Sequence, residues 1–314
     1  MLNILAKLFK KTEKKSPGNA ASDYWDGWQK EVDAEQPRWV DWGEHPAFLA
    51  LIYREIFGSE EVTLFHHLKQ QYPAFGSQAC ISLCSGDGGF ERLLVDHGIF
   101  ASVTGMDISP ARVKRALETH AARGEKLKFL ISDMNHGDYG SNAYDVVFAK
   151  AALHHIADLE SAFKGMATCL RPGGHLVTVD FFGPSRFQWS DSQIELANQL
   201  LQQIPENLRT TRKGEIKTIV RRPTVEEMIA ADPSEAARSE EVKSFIDENF
   251  LILEEHDIGG TLFNLVFTPD IIDNFDPDNA AHRQTIEDVF SSERALIRSG
   301  QLPSDFKFIV ARKK

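Results

Sequence analysis

Cysteine is scarce in this chain of 314 residues: there are three, at positions 80, 84 and 169, and no two are spaced as CxxC. Three thiols cannot all be bridged to one another, so the sequence points to buried thiols in a reducing compartment, not to a disulfide scaffold or a zinc knuckle. No other cluster has metal-ligand spacing, and no metal site is expected. Apolar runs of membrane-spanning length are missing as well. So is any surplus of basic residues: 35 Lys and Arg stand against 46 Asp and Glu, a formal net charge of −11. That balance speaks against a general nucleic-acid binder, which would carry a basic footprint.

What is present is an ordinary soluble composition, 42% hydrophobic and 26% charged, in a chain long enough for one large domain with insertions or two modest ones. The first fifteen residues, "MLNILAKLFKKTEKK", place Leu2, Ile4, Leu5, Leu8 and Phe9 at roughly helical spacing among five lysines. The charges interrupt the apolar residues, so a signal peptide is not the reading. Two others stay open: a basic amphipathic helix touching an anionic membrane surface, or a tail that docks on a partner. The chain is therefore expected in the cytoplasm, with peripheral contact at the inner face of a membrane as an option. Residues 1–21 read as tail and linker, and residues 22–78 as an aromatic-rich helical extension holding Trp25, Trp28, Trp39 and Trp42.

From residue 79 strands and helices alternate. "ACISLCS" suits a strand buried on both faces. "SVTGMDIS", "LKFLISDM", "YDVVFAKAAL" and "HLVTVDFF" follow as strands, separated by helices such as "SPARVKRALETHAARG" with Ser109 as N-cap and Pro110 at the first helical position. This alternation implies right-handed crossovers, a mostly parallel doubly wound sheet and an α/β fold. Residues 184–246 are polar and helical and read as a cap inserted after the fifth strand. Residues 247–314, through "LILEEHDI", "TLFNLVF" and "FKFIVARK", would complete a seven-stranded sheet.

In such sheets a ligand lies beyond the carboxyl ends of the strands, where the strand order reverses. The first of these ends is the turn "SLCSGDGG", whose Gly86, Gly88 and Gly89 allow close backbone approach. Asp107 ends the second strand about twenty residues on, a separation suited to accepting two ribose hydroxyls. Asp133 ends the third, placed to accept an exocyclic adenine amine while Met134 packs beside the ring. There is no "GK[ST]" for phosphate and magnesium, which removes a nucleotide-kinase reading.

With these motifs the chain resembles the class I S-adenosylmethionine-dependent methyltransferases, over residues 79–183 and again in the last two strands. "SLCSGDGG", "GMDIS" and "SDM" correspond to its glycine, ribose and adenine motifs, and "LHHI…L…LRPGGHLV" to its fourth strand, following helix and fifth strand. The resemblance implies a Rossmann-like fold and S-adenosyl-L-methionine as cofactor, resting on Ser85, Gly86, Asp87, Gly88, Asp107, Ile108, Asp133, Met134 and Lys150. Two positions depart from the family pattern: Ser82 stands for the first-strand acid and Cys84 for the first glycine. They leave a catalytically silent scaffold of the same fold as the alternative reading. No "[DNS]PP[YFW]" follows the fourth strand, which argues against amino methylation of a nucleobase.

Methyl transfer needs alignment and exclusion of water, and a hydroxyl nucleophile needs a base within hydrogen-bond reach. His154 and His155, just after the fourth strand, are the catalytic candidates, their imidazoles titrating near neutrality. The basic stretch "RTTRKGEIKTIVRR" offers Arg212, Lys213, Arg221 and Arg222 as candidates for holding an anionic group of the substrate. The basic stretch, the N-terminal tryptophans and the basic tail point to O-methylation of a small or medium acceptor such as a glycan, a glycolipid intermediate or a natural product.

Overall fold

The computed structural model describes residues 20–35 and 37–314. The basic tail, residues 1–15, for which membrane contact and partner docking both stay open, lies outside them. Three helices come first: α1 (Ala20–Glu35), α2 (Pro46–Phe57) and α3 (Leu64–Gln71). Helix α2 starts at Pro46, where His45 caps the Ala47 amide, and stops at Gly58 in the left-handed region. Trp39 and Trp42 fall in the turn between α1 and α2, not on a helix.

The alternating part follows as β1 (Ala79–Leu83), α4 (Gly89–Asp96), β2 (Ser102–Asp107), α5 (Pro110–His120), β3 (Leu127–Ile131), β4 (Tyr144–Lys150), α6 (Leu159–Cys169) and β5 (Leu170–Phe181). Ser109 caps α5 by accepting from the Arg112 amide, as its place before Pro110 leads one to expect. Next come α7 (Asp191–Gln203), α8 (Val225–Ala231), α9 (Val242–Asn249), β6 (Phe250–Gly259), α10 (Phe263–Val266), α11 (Ala280–Arg298) and β7 (Phe306–Lys313).

The seven strands form one sheet in the order β3-β2-β1-β4-β5-β7-β6. Pairings among β1 to β5 are parallel, and β7 runs antiparallel to both its neighbours. Alternate side chains feed two apolar cores, one on each face. On β4, Val146 and Phe148 enter one, Val147 and Ala149 the other. The strand order reverses between β2-β1 and β4-β5, so a crevice opens above the carboxyl ends of β1 and β4.

Two stretches differ from the sequence expectation. "TLFNLVF" forms the short helix α10 instead of a strand, because the buried Glu293 carboxylate accepts the amides of Gly260, Leu262 and Phe263 and bends the chain off the sheet. Helix α9, expected in the cap, packs on α6 and leads into β6, with Val242 and Ile246 in the sheet core. The cap helices proper are α7 and α8, each opened by a capping box, at Ser190/Gln193 and at Thr224/Glu227. Ala197, Leu200 and Leu201 of α7 share a core with Trp42 and Phe48, so cap and N-terminal extension pack together on one face.

Candidate active site

The turn after β1 is built on left-handed backbone. Cys84, Gly86 and Gly88 all have positive φ, at 53°, 58° and 78°. At Gly88 a β-carbon would run into the Phe129 ring, so glycine is required there on two counts. Cys84 tolerates the same region at a cost of roughly 1–2 kcal/mol. Its thiol borders the crevice, but burial pushes its pKa well above the ordinary value, which does not suit a nucleophile. Ser82 is not without an acid beside it. Glu91, in the first turn of α4, accepts from Ser82 Oγ at 2.7 Å, and burial raises its carboxyl to about 7.

Asp107 ties this turn to the next strand end. Its Oδ2 accepts the Gly86 amide at 2.8 Å and its Oδ1 the Ser109 amide at 2.9 Å. Each carboxylate oxygen takes two hydrogen bonds, so capacity for ribose hydroxyls remains. Asp133 Oδ1 accepts the backbone and side-chain N–H groups of Asn135, whose own Oδ1 holds the amides of Ala157 and Asp158. Asp107, Ile108, Asp133 and Met134 line one cavity with Cys84 and His155. Four of the nine residues expected to hold the cofactor thus meet there.

The others do not line it. Ser85 packs beneath Gly105, Gly88 faces Phe129, and Asp87 caps the Gly89 amide and pairs with Arg115 at 3.7 Å. The Lys150 ammonium lies over the Phe90 ring at 5.3 Å. Gly86 lies directly against the guanidinium of Arg112. That guanidinium is held between Trp25 and Trp28, at 5.0 and 4.9 Å from the ring centres. Helix α1 is fastened over the site through Ser22 Oγ to the Ile108 carbonyl and through Asp26 to Ser109 Oγ and the Ala111 amide. The space left is about 70 Å³, against roughly 300 Å³ or more in ordinary small-molecule sites. The glycine cradle, the strand-end carboxylates and the apolar Met134 are the groups an adenosyl moiety calls for, and Arg112 and α1 cover them.

At the β4 end lies a buried polar cluster. Asp180 of β5 accepts the amides of Ala152 and Leu153 on Oδ2, and the Phe181 amide and the His154 imidazole Nδ1–H on Oδ1, the last at 2.5 Å. His154 and Glu235 are fully buried. Glu235 arrives from the loop after α8, which Arg186 pins by donating to the Glu235 and Pro233 carbonyls. Nε2 of His154 faces Glu235 Oε1 at 3.6 Å, and Nε2 of His155 faces Oε2 at 4.0 Å. Burial pushes Glu235 up to about 7, although the His154 charge pulls the other way. Burial opposes the charged form of His154, but Asp180 and Glu235 outweigh it and hold its pKa raised. His155 is driven well below the usual value by burial and by the neighbouring His154. His155 and Ser234 line the same cavity as Asp107 and Asp133, so this cluster and the adenosyl end share one space. Sequence reading found the two histidines and missed Asp180, Ser234 and Glu235, since the last two stand nearly eighty residues away in the cap.

The basic stretch stays apart from the cavity. Arg212 pairs with Asp273 at 2.9 Å and Glu35 at 3.3 Å, Arg221 makes a two-pronged pair with Glu227, Arg222 pairs with Asp191, and Lys213 is exposed in a turn. These charges are largely met by carboxylates of neighbouring elements.

Comparison with known proteins agrees with this geometry. Residues 81–178 match the methyltransferase domain family. An uncharacterized methyltransferase of Synechocystis sp. is 30% identical over 151 residues, 46% of this chain and 67% of that protein. The phthiotriol/phenolphthiotriol dimycocerosates methyltransferase of Mycobacterium leprae is 28% identical over 146 residues, 46% of this chain, and the match spans only about half (52%) of its length. The fold is also that of a putative sarcosine dimethylglycine methyltransferase from Galdieria sulphuraria, with a TM-score of 0.50 and 16% identity over 92% of this chain and 98% of that one. No helix among the described residues is long and apolar enough to cross a membrane. With the strand order, the glycine turn and the two strand-end aspartates already in place, these matches identify the chain as a member of the class I S-adenosylmethionine-dependent methyltransferases.

Proposed function

We propose that this protein methylates an oxygen of a small or medium-sized acceptor, such as a glycan, a glycolipid intermediate or another hydroxylated natural product. When bound, S-adenosylmethionine supplies a methyl group on a sulfonium leaving group that needs no protonation. The chain's own residues then have three tasks: hold the adenosyl end, exclude water and receive the acceptor's proton. Asp107, Asp133 and Met134 serve the first. Trp25 of α1, which roofs the cavity, serves the second. The observation that carries the reading is the third: an imidazole–carboxylate cluster, His155 with His154 and Glu235, borders the cavity that Asp107 and Asp133 also line. A hydroxyl nucleophile calls for such a proton acceptor.

The test is calorimetric titration with S-adenosylmethionine and S-adenosylhomocysteine, followed by labelled-methyl transfer to a panel of hydroxylated acceptors. Micromolar binding is expected, lost in Asp107→Ala. Absence of binding by the intact protein overturns the reading in favour of a silent scaffold of the same fold.

A further inference from the structure

The two histidines after β4 have their tautomers fixed from behind. His154 Nδ1 points at the Asp180 carboxylate, so it carries the proton. Ser234 has a single hydroxyl proton, which goes to Asp232 Oδ1 at 2.7 Å, the charged and stronger acceptor. His155 Nδ1, 3.2 Å from the same Ser234 Oγ, is therefore the donor of that pair. With both histidines neutral, both Nε2 atoms are lone pairs, and both aim at the carboxylate of Glu235. His154 Nε2 and both Glu235 oxygens are buried with no hydrogen-bond partner. Two nitrogen lone pairs facing a buried carboxylate repel it unless a proton on His154 Nε2 or a metal cation stands between them, and a single proton leaves His155 Nε2 and the second Glu235 oxygen unmet.

We infer that His154, His155 and Glu235 form a site for a divalent first-row transition ion, bound through the two Nε2 atoms and a Glu235 oxygen. One ligand atom from each residue lies within 4.8 Å of the others. Ligands bonded at about 2.1 Å stand roughly 3.0–3.5 Å apart around one ion, so the 3.6 Å (Oε1) and 4.0 Å (Oε2) separations, and others of up to 4.8 Å within the trio, close by roughly half an ångström to one ångström on binding through side-chain rotation. Two imidazoles with one carboxylate suit zinc, cobalt or iron and not magnesium or calcium, which take oxygen ligands. Asp180 and Ser234 hold the far nitrogens of the histidines, the outer partners that orient metal-bound imidazoles. Three protein ligands leave a coordination position open toward the cavity that His155 lines. Resting on the proposed O-methylation, that position would take the acceptor hydroxyl and lower its pKa so that its proton leaves to water before the oxygen takes the methyl group; with the ion bound, the trio acts through the metal and not as the base itself. Adjacent residues 154 and 155 with a third ligand eighty positions away have no recognisable spacing, which is why the sequence suggests no metal.

The test needs neither cofactor nor acceptor, so its failure is separate from failure of the methyltransferase reading. Untagged full-length protein, stripped with chelator, is titrated with Co(II) and followed by visible absorption, then with Zn(II) in competition and Mg(II) as control. The expected result is one equivalent of Co(II) with d–d bands, displaced by Zn(II) and not by Mg(II). The bands should vanish in His155→Gln and in Glu235→Gln, and affinity should fall ten- to a hundredfold in Asp180→Asn. Circular dichroism checks folding. Should Glu235→Gln fail to fold, His155→Gln decides, because His155 is at the cavity wall. No stoichiometric Co(II) uptake, or d–d bands that persist in a folded variant, overturns the inference and leaves a proton between His154 and Glu235.

Discussion

Removing Arg112 tests whether the roof over the crevice must open. Its guanidinium is gripped by Trp25 and Trp28 and lies directly over Gly86, filling space an adenosyl group needs. A cation over an indole face contributes about 0.5–1 kcal/mol at a partly exposed site, so two faces hold the closed arrangement by about 1–2 kcal/mol. If only the open form binds cofactor, the apparent Kd equals the intrinsic Kd divided by the open fraction. Removing 1–2 kcal/mol of closed-state preference raises that fraction about five- to thirtyfold while it remains small. Arg112→Ala should therefore tighten S-adenosylhomocysteine binding by up to that factor in calorimetry. The fluorescence of Trp25 and Trp28 should become less sensitive to ligand, since the contact that binding breaks is already absent. Weaker binding by Arg112→Ala refutes the argument, for it would mean that the guanidinium itself grips the cofactor and no opening is required.

Two further predictions concern buried carboxyls. Glu91 has an ordinary pKa of 4.5 when unfolded and about 7 when folded, raised by burial, so between those values the native state holds the extra proton. Stability from this residue is thus lost as pH rises from 4.5 to 7, by up to roughly 3 kcal/mol. Glu91→Gln, which keeps an acceptor for Ser82, should gain on wild type by that amount over the same interval in urea unfolding; a difference independent of pH contradicts it. Glu293→Ala strands three amides, those of Gly260, Leu262 and Phe263, at about 1–3 kcal/mol each. A fall in melting temperature on the order of 10 °C is expected by calorimetry, and a change within error would show that α10 stands without its anchor.

The doubly wound sheet was legible because its signals are local: apolar runs of strand length, glycines after β1, and the Ser109-Pro110 start of α5. The strand-end aspartates were legible for the same reason, each ending its own strand. What escaped depends on contacts between distant residues. "TLFNLVF" has strand composition, and only Glu293, some thirty positions on, turns it into helix. Glu235 looks like any acid in a polar cap until the fold buries it against His154. The acid beside Ser82 comes from α4 and not from the strand itself. The cluster of arginines from 209 to 222 reads as a surplus of positive charge only while Asp191, Glu227 and Asp273 are out of view.

The placement of β7 bears on how the molecule is assembled. It follows β6 in the chain yet sits between β5 and β6, pairing with each along seven or more residues. Until it arrives, β5 has one bare edge and β6 has no sheet to join. During vectorial synthesis the nascent sheet thus waits, open at its β5 side, while more than a hundred residues of cap, β6 and α11 are made. Such an edge is a template for wrong partners. The aspartates and histidines of the crevice come from strands that can pair earlier, whereas a settled β6 waits on the strand that wedges in last.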